Sequence, residues 1–149
     1  MGIVRAYAVG DKLAPVVKTI TQEAINRFEG SAGHSGPSQF TDEATARATL
    51  GTRGTVASGR MSLTFAVELL RRAFGPELFN RGGMVDLRFL RPVRPGDTVT
   101  FEGAITGIAR EVDGSRVAVE IKVTNQKGET TGAGNGSCLV PSGLLPPEE

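Results

Sequence analysis

The spacing of apolar residues divides the chain into a helical first half and a strand-rich second half. Within residues 19–75, three segments place apolar side chains three or four positions apart, the period of an amphipathic helix. From residue 84 onward apolar and polar residues alternate, the period of a strand with one buried face. The pattern therefore predicts an α+β domain in which helices precede an antiparallel sheet.

The first two predicted helices are short and flank a loop. The segment "TITQEAINRF" has Thr21 as its N-cap, and "FTDEATARATLG" has Thr41 or Asp42 as its N-cap and Gly51 as its end. Between them, "EGSAGHSGPS" is rich in Gly, Ser and Pro, which predicts irregular structure. Loops of this kind on a rigid scaffold often carry binding groups.

The third predicted helix, "ASGRMSLTFAVELLRRAFG", is the longest and the most apolar. Because it carries few charges before Arg71, we expect most of its sides to be buried. Ser58 and Gly59 stand at its N-terminus, where unpaired backbone N–H groups and the positive end of the helix dipole suit an anion or an oxyanion.

Four strands with alternating patterns follow the long helix. They are "MVDLRFL", "TVTFEGAITGI", "RVAVEIKV" and "TTGAGNGSCLVP", separated by the turns "RPVRPGD", "VDGS" and "NQKGE". The Asp113–Gly114 pair suits a tight hairpin turn, and the glycines of the last strand predict close approach by a helix or a partner backbone. A sheet with one apolar face is expected to wrap the apolar helix, which is the arrangement of a hot-dog fold.

Length and composition indicate a single domain of residues 1–149, with a core of about residues 9–141 and a C-terminal tail at 142–149. One Cys excludes an internal disulfide framework, and a lone His34 with a distant Cys138 does not make a metal site. The sequence has neither a signal-peptide pattern nor an apolar run of membrane-spanning length. We therefore expect a cytoplasmic protein that does not enter membranes.

Charge is distributed unevenly along the chain. The window from Arg47 to Arg94 holds nine arginines and three acidic residues, a net charge of +6, which leaves −5 for the rest of a chain of net charge +1. Guanidinium groups bind phosphate well, so an anionic ligand is one interpretation, and scattered arginines on a solvated face are the other. The low net charge, the absence of Trp and the single Tyr argue against nucleic-acid binding.

Two segments that flank the long helix resemble a known family. "GTVASGRM" before the long helix, and "GGMVDLRFLRPVRPGDTV" after it, are similar to the MaoC-like enoyl-CoA hydratase/dehydratase family of hot-dog proteins, and "RFLRPVRPGDTV" is the most specific part. The resemblance runs from about Val9 to Pro141. It implies a homodimer, or a dimer of dimers, with a tunnel at the subunit interface. The implied ligand is an acyl-CoA or acyl-carrier thioester of fatty acid metabolism, with coenzyme A as part of the substrate and no tightly bound cofactor.

The activity that the resemblance implies is (R)-specific hydration of a trans-2-enoyl thioester, or the reverse dehydration. In the family, a loop with the pattern "SGDxNPIHxD" supplies an Asp and a His, and a glycine at the start of the central helix supplies a backbone N–H. Gly59 matches that glycine. Ser58 stands where the family usually has His, and Arg60 stands where it usually has Met.

The loop admits two alignments with the family pattern. Anchoring on "TDEATA" places Ser35 at the catalytic Asp position and Phe40 at the catalytic His position. Anchoring on the helix that ends at Phe28 places His34 at the Asp position and Gln39 at the His position. Neither alignment keeps the family's Asp and His pair.

Three functions remain open from these residues. The leading interpretation is a hydro-lyase of the enoyl-CoA hydratase/dehydratase type, with Gly59 polarising the thioester and His34 as acid or base, Glu29 being within reach of the loop. The first alternative is thioester hydrolysis that uses Glu68 or Gln39. The second alternative is a binding protein that has kept the tunnel without the catalytic pair.

The complete set of predicted site residues follows from these interpretations. The catalytic candidates are His34, Ser35, Gln39 and Gly59. The candidates that meet the phosphates of coenzyme A surround the "RPVRPGD" turn and are Arg88, Arg91 and Arg94.

Overall fold

The computed structural model describes residues 7–31, 33, 36–51 and 54–141. Four helices and five strands lie in these ranges, and their order along the chain is β1 (Val16–Thr19), α1 (Gln22–Ser31), α2 (Glu43–Leu50), α3 (Gly59–Phe74), α4 (Pro76–Gly82), β2 (Met84–Phe89), β3 (Thr98–Glu111), β4 (Gly114–Thr124) and β5 (Thr130–Val140).

The three predicted helices and four predicted strands are confirmed. Strand β1 and helix α4 are additional elements that the apolar spacing did not predict. The predicted tail at 142–149 lies outside the described residues.

The five strands form one antiparallel sheet in the order β1-β3-β4-β5-β2. Strands β3 and β4 make a long hairpin that closes with Glu111 opposite Gly114. The predicted turn is therefore present, but its two loop residues are Val112 and Asp113. Gly114 instead opens β4 with φ of +147°, where a side chain would meet the backbone of Val140.

The core lies between helix α3 and one face of the sheet. Ala66, Leu69 and Leu70 of α3 are fully buried, and α3 contacts β1, β2, β3 and β5. On the sheet, alternate residues point to the helix, as the period of two predicted: Val99, Phe101, Ile105, Val117, Val119, Ile121 and Val123 are all buried. The sheet thus wraps the long helix, as expected from its sequence.

The prediction that α3 is buried on most sides holds with one correction. One face of the helix remains exposed because it carries residues that favour water, namely Arg60, Thr64, Arg71 and Arg72. The remaining positions of α3 are buried or half-buried. The helix is therefore enclosed by the sheet and open along one stripe.

The glycines of β5 permit close approach on both sides, as predicted. A Cβ at Gly136 would lie 2.5 Å from Leu70 Cδ1 of α3, and a Cβ at Gly134 would collide with the backbone carbonyl of Asp86 on β2. Gly134 pairs with Leu87 in the β2–β5 ladder. Without a side chain at these positions, β5 can lie between the helix and the edge strand.

We expect Gly134→Ala to destabilise the fold by about 1–3 kcal/mol, because the new methyl group must displace the backbone of β2. Urea unfolding measures the change in the free energy of unfolding. Gly107→Ala on β3 is the control, since the nearest atom to its added Cβ is Ala118 Cβ at 3.9 Å. Equal losses in the two variants would contradict this account of β5.

Candidate functional site

The loop between α1 and α2 is tied to the segment that leads into α3. Gln22, the first residue of α1, donates from Nε2 to the carbonyl of Phe40 at 2.8 Å, and its Oε1 accepts a hydrogen bond from the Thr55 hydroxyl. The backbone N–H of Val56 donates to the carbonyl of Gln39 at 3.2 Å. These bonds hold the end of the loop beside the N-terminus of α3.

Helix α2 begins immediately after this loop, at an N-cap. Asp42 Oδ2 accepts hydrogen bonds from the Thr45 hydroxyl at 2.7 Å and from the Thr45 backbone N–H at 2.9 Å. Both bonds favour the ionised carboxylate, the hydroxyl more than the backbone, so they lower the pKa of Asp42. Of the two predicted N-caps, Asp42 is confirmed and Thr41 is wrong.

The N-terminus of α3 forms part of a cavity. Ser58 is the N-cap, and its hydroxyl accepts a hydrogen bond from the Met61 N–H at 3.3 Å. Gly59 is the first helical residue, where a backbone N–H has no acceptor within the helix. A Cβ at Gly59 would lie 2.6 Å from the ring of Phe89, so only glycine lets this ring lie against the helix.

The cavity beside Gly59 has a volume of about 330 Å³. Its wall is built mainly by the end of β2 and the segment after it, with the start of α3 and residues of β4 and β5 completing it. Most of the lining side chains are apolar, and they include Ala57, Leu87, Phe89, Leu90, Pro92, Val93 and Val123. Such a cavity suits an apolar chain whose polar end meets the helix N-terminus.

An ion pair with one buried member lies at the same helix end. The side chain of Glu29 is only 2 % exposed, and its Oε2 is 3.2 Å from Nη2 of Arg60, which is 51 % exposed. Glu29 follows the fully buried Ile25 by four residues, so it lies on the buried face of α1. From the sequence, Glu29 was predicted only to lie within reach of the loop. Its position four residues after Ile25 was the signal that its side chain would be buried.

The predicted catalytic candidates fall into two groups. His34 and Ser35 lie outside the described residues. Gln39 is half-buried at the end of the loop, with its carbonyl bonded to Val56, and Gly59 lies at the cavity wall. Phe40, placed at the catalytic His position by one alignment, packs its ring against the core.

Glu68 is held away from this site by its neighbours. Lys18 Nζ and Arg72 Nη2 each lie 3.1 Å from Glu68 Oε2. Nine residues separate Glu68 from Gly59 along α3, which is about 13 Å at the rise of an α-helix. The carboxylate therefore belongs to an ion-pair cluster farther along the helix.

The three arginines predicted to meet phosphates differ in their contacts. Arg91 lines the cavity, and its Nη1 lies 3.5 Å from Glu129 Oε2. Arg94 donates from Nη1 to the carbonyl of Gly54 at 3.4 Å, while Arg88 is exposed on β2. Of the three, only Arg91 is at the cavity itself.

Neither a reactive thiolate nor a metal cluster is found among the described residues. Cys138 is fully buried on β5, and burial raises the pKa of its thiol, so the nucleophilic thiolate is disfavoured. Within the described ranges, no three His, Cys, Asp or Glu side chains come together in a way that would hold a metal ion. Every helix described here is too short or too polar to cross a bilayer.

Solved structures of similar fold include hydratases and a dehydratase. The R-hydratase PhaJ1 from Pseudomonas aeruginosa is 25 % identical, with a TM-score of 0.72 over 91 % of this chain and 83 % of that chain. The MaoC-like dehydratase from Rhodospirillum rubrum is 25 % identical, with a TM-score of 0.73 over 95 % and 96 %. The (R)-hydratase from A. caviae involved in PHA biosynthesis is 25 % identical, with a TM-score of 0.70 over 91 % and 98 %.

These structures confirm the predicted hot-dog fold, with its antiparallel sheet around a central helix. A comparison with curated protein sequences finds no match. Residues 6–127, most of the chain, match the family model described as the MaoC like domain. The chain therefore belongs to the family of MaoC-like dehydratase domains.

Proposed function

We propose that this protein adds water to a trans-2-enoyl thioester, or removes it from the 3-hydroxyacyl thioester, as a hydro-lyase. The observation that carries the proposal is Gly59 at the wall of an apolar cavity, with its N–H at the start of α3. Family membership and the similarity to two R-hydratases support the same reaction class. The acyl group is expected on coenzyme A or on an acyl carrier protein.

The proposed chemistry needs an electrophilic carbonyl and an acid or base. Negative charge develops on the thioester oxygen when water adds at C3, and the Gly59 N–H together with the helix dipole stabilises it. The apolar walls hold the acyl chain, and Arg91 at the cavity is the best placed of the three arginines to meet a phosphate of coenzyme A. His34 is proposed from its place in the sequence as acid or base.

The edge strand β2 supports a homodimer. Met84 and Phe89 at its two ends are 63 % and 53 % exposed, and the adjacent Leu90 is 56 % exposed. Large apolar side chains along an unpaired sheet edge favour association. We propose that a second copy covers this edge, and sedimentation velocity should give at least twice the chain mass of 15.6 kDa. A protein that sediments as a monomer at micromolar concentration would contradict this assembly.

Crotonyl-CoA tests the proposed reaction directly. We expect the purified protein to deplete the absorbance of the enoyl thioester without releasing a thiol, because hydration leaves the thioester bond intact. Release of free coenzyme A would instead indicate a thioesterase. No depletion with enoyl-CoA esters of several chain lengths would refute the hydro-lyase.

A non-catalytic acyl-CoA-binding protein is the second candidate. The observation in its favour is the loop, because neither alignment keeps an Asp and a His at the family positions. This candidate predicts saturable binding of coenzyme A esters without turnover. The same cavity would then serve binding alone.

Substitution of His34 separates the two candidates. If His34 is the acid or base, His34→Ala should lower kcat for crotonyl-CoA by about 10²–10⁴-fold and leave the Kd for butyryl-CoA, a saturated analogue, nearly unchanged. Initial-rate kinetics measure kcat, and calorimetric titration measures the Kd. A variant that turns over like the wild type would remove His34 from the proposed mechanism.

A further inference from the structure

The carboxylate of Glu29 is a buried charged group that the proposed mechanism does not yet use. Glu29 lies in the last turn of α1, directly before the loop that the family uses for catalysis, and it is 2 % exposed. Its Oε2 is paired with Arg60, whereas its Oε1 has no hydrogen-bond partner among the described residues. A buried carboxylate oxygen without a partner requires an explanation.

Stability alone does not explain this glutamate. A buried polar atom without a hydrogen-bond partner lowers the stability of a fold, and a charged one lowers it more. Replacing a buried ion pair by apolar residues of similar volume often stabilises a protein. Ile25, one turn earlier on the same face of α1, shows the kind of residue that packing favours here. The acidic side chain at position 29 thus carries a cost in stability that the core does not require.

The ion pair ties α1 to the first turn of α3, which carries the proposed oxyanion site. Arg60 follows Gly59 directly at the start of α3, so the guanidinium that contacts the carboxylate is anchored one residue from the N–H that would bind the thioester oxygen. Arg60 is half-exposed while Glu29 is buried, so the pair spans from the surface to the interior of this helix end. The other charged groups on α1, Glu23 and Arg27, are exposed.

We propose that Glu29 is the general base of the hydration and that Arg60 is the positioning residue for its carboxylate. The inference rests on the proposed function, since it names the group that activates water for that reaction. The unpartnered Oε1 is the atom that accepts the proton. The pairing of Oε2 with Arg60 fixes the plane of the carboxylate.

Hydration in this scheme takes two proton transfers. Oε1 takes a proton from water, the water oxygen forms a bond to C3, and the C2=C3 electron pair moves to the thioester to give an enolate held by the Gly59 N–H. C2 then takes a proton from the acid that the proposed function requires. The proton on Glu29 returns to that acid through water, which restores both groups. Dehydration runs through the same steps in reverse.

Variants of Glu29 and Arg60 test this assignment in the full-length protein. Hydration of crotonyl-CoA is measured from pH 5 to pH 9, butyryl-CoA binding by calorimetry, and stability by thermal unfolding. Glu29→Gln keeps the shape of the side chain and removes the base, so kcat should fall about 10²–10⁴-fold with butyryl-CoA affinity within about threefold of the wild type. Glu23→Gln, an exposed glutamate on the same helix, is the matched control and should leave both unchanged.

Two further variants separate catalysis from a structural role. Glu29→Asp keeps a carboxylate and should retain more activity than Glu29→Gln. Arg60→Met removes the group that orients the carboxylate, so kcat should fall while the affinity for butyryl-CoA stays within about threefold of the wild type. A structural role would instead lower kcat and butyryl-CoA affinity together.

The outcomes distinguish this inference from the proposed function. An inactive wild type refutes the hydration and this assignment together. If the wild type is active and Glu29→Gln keeps a third or more of its kcat, only the assignment to Glu29 is refuted. The assignment is also refuted if both Glu29 variants lose activity and butyryl-CoA binding equally. If Glu29→Gln does not fold, Arg60→Met decides, because an Arg60→Met variant that keeps the kcat of the wild type excludes this assignment.

Discussion

The burial of α3 against the sheet is the constraint on which the rest of the molecule depends. Leu69 and Leu70 of α3 are fully buried against strands that present Phe101 and Val119. A fully buried Leu contributes about 1.5–3 kcal/mol to the free energy of folding relative to an exposed one. Packing of these leucines therefore holds α3 in a defined position against the sheet. The same packing places Gly59, at the beginning of the helix, beside the ring of Phe89 and the cavity. The core therefore determines where the candidate site lies.

The long periodic elements could be predicted from the sequence because each carries its own apolar face. Strand β1 has only four residues, and Val17 in it is exposed, so it shows too little alternation to be recognised. Helix α4 begins at Pro76, a residue typical of a helix start, but its seven residues span only two turns. These short elements form because β3 and α3 give them surfaces to pack on.

The sequence predicts a site residue only where a local pattern determines its position. Gly59 could be identified from its place before an apolar helix. Glu29 could be assigned to a buried face, but its partner Arg60 lies 31 residues away, and only the fold brings them within 3.2 Å. The positions of His34 and Ser35 relative to this pair lie outside the described residues. Local patterns thus specify the scaffold of the site better than its chemistry.

The arginines between Arg47 and Arg94 make two kinds of ion pair. Arg47, Arg72 and Arg91 each lie within 4 Å of a glutamate, on helices or at a sheet edge where water screens the pair. Arg60 differs, because its partner is almost completely buried. It also stands where the resembling family usually has Met, an apolar residue that would leave Glu29 without a cation. The arginine and the buried carboxylate therefore depend on each other, and the departure at position 60 is understandable only together with the glutamate on α1.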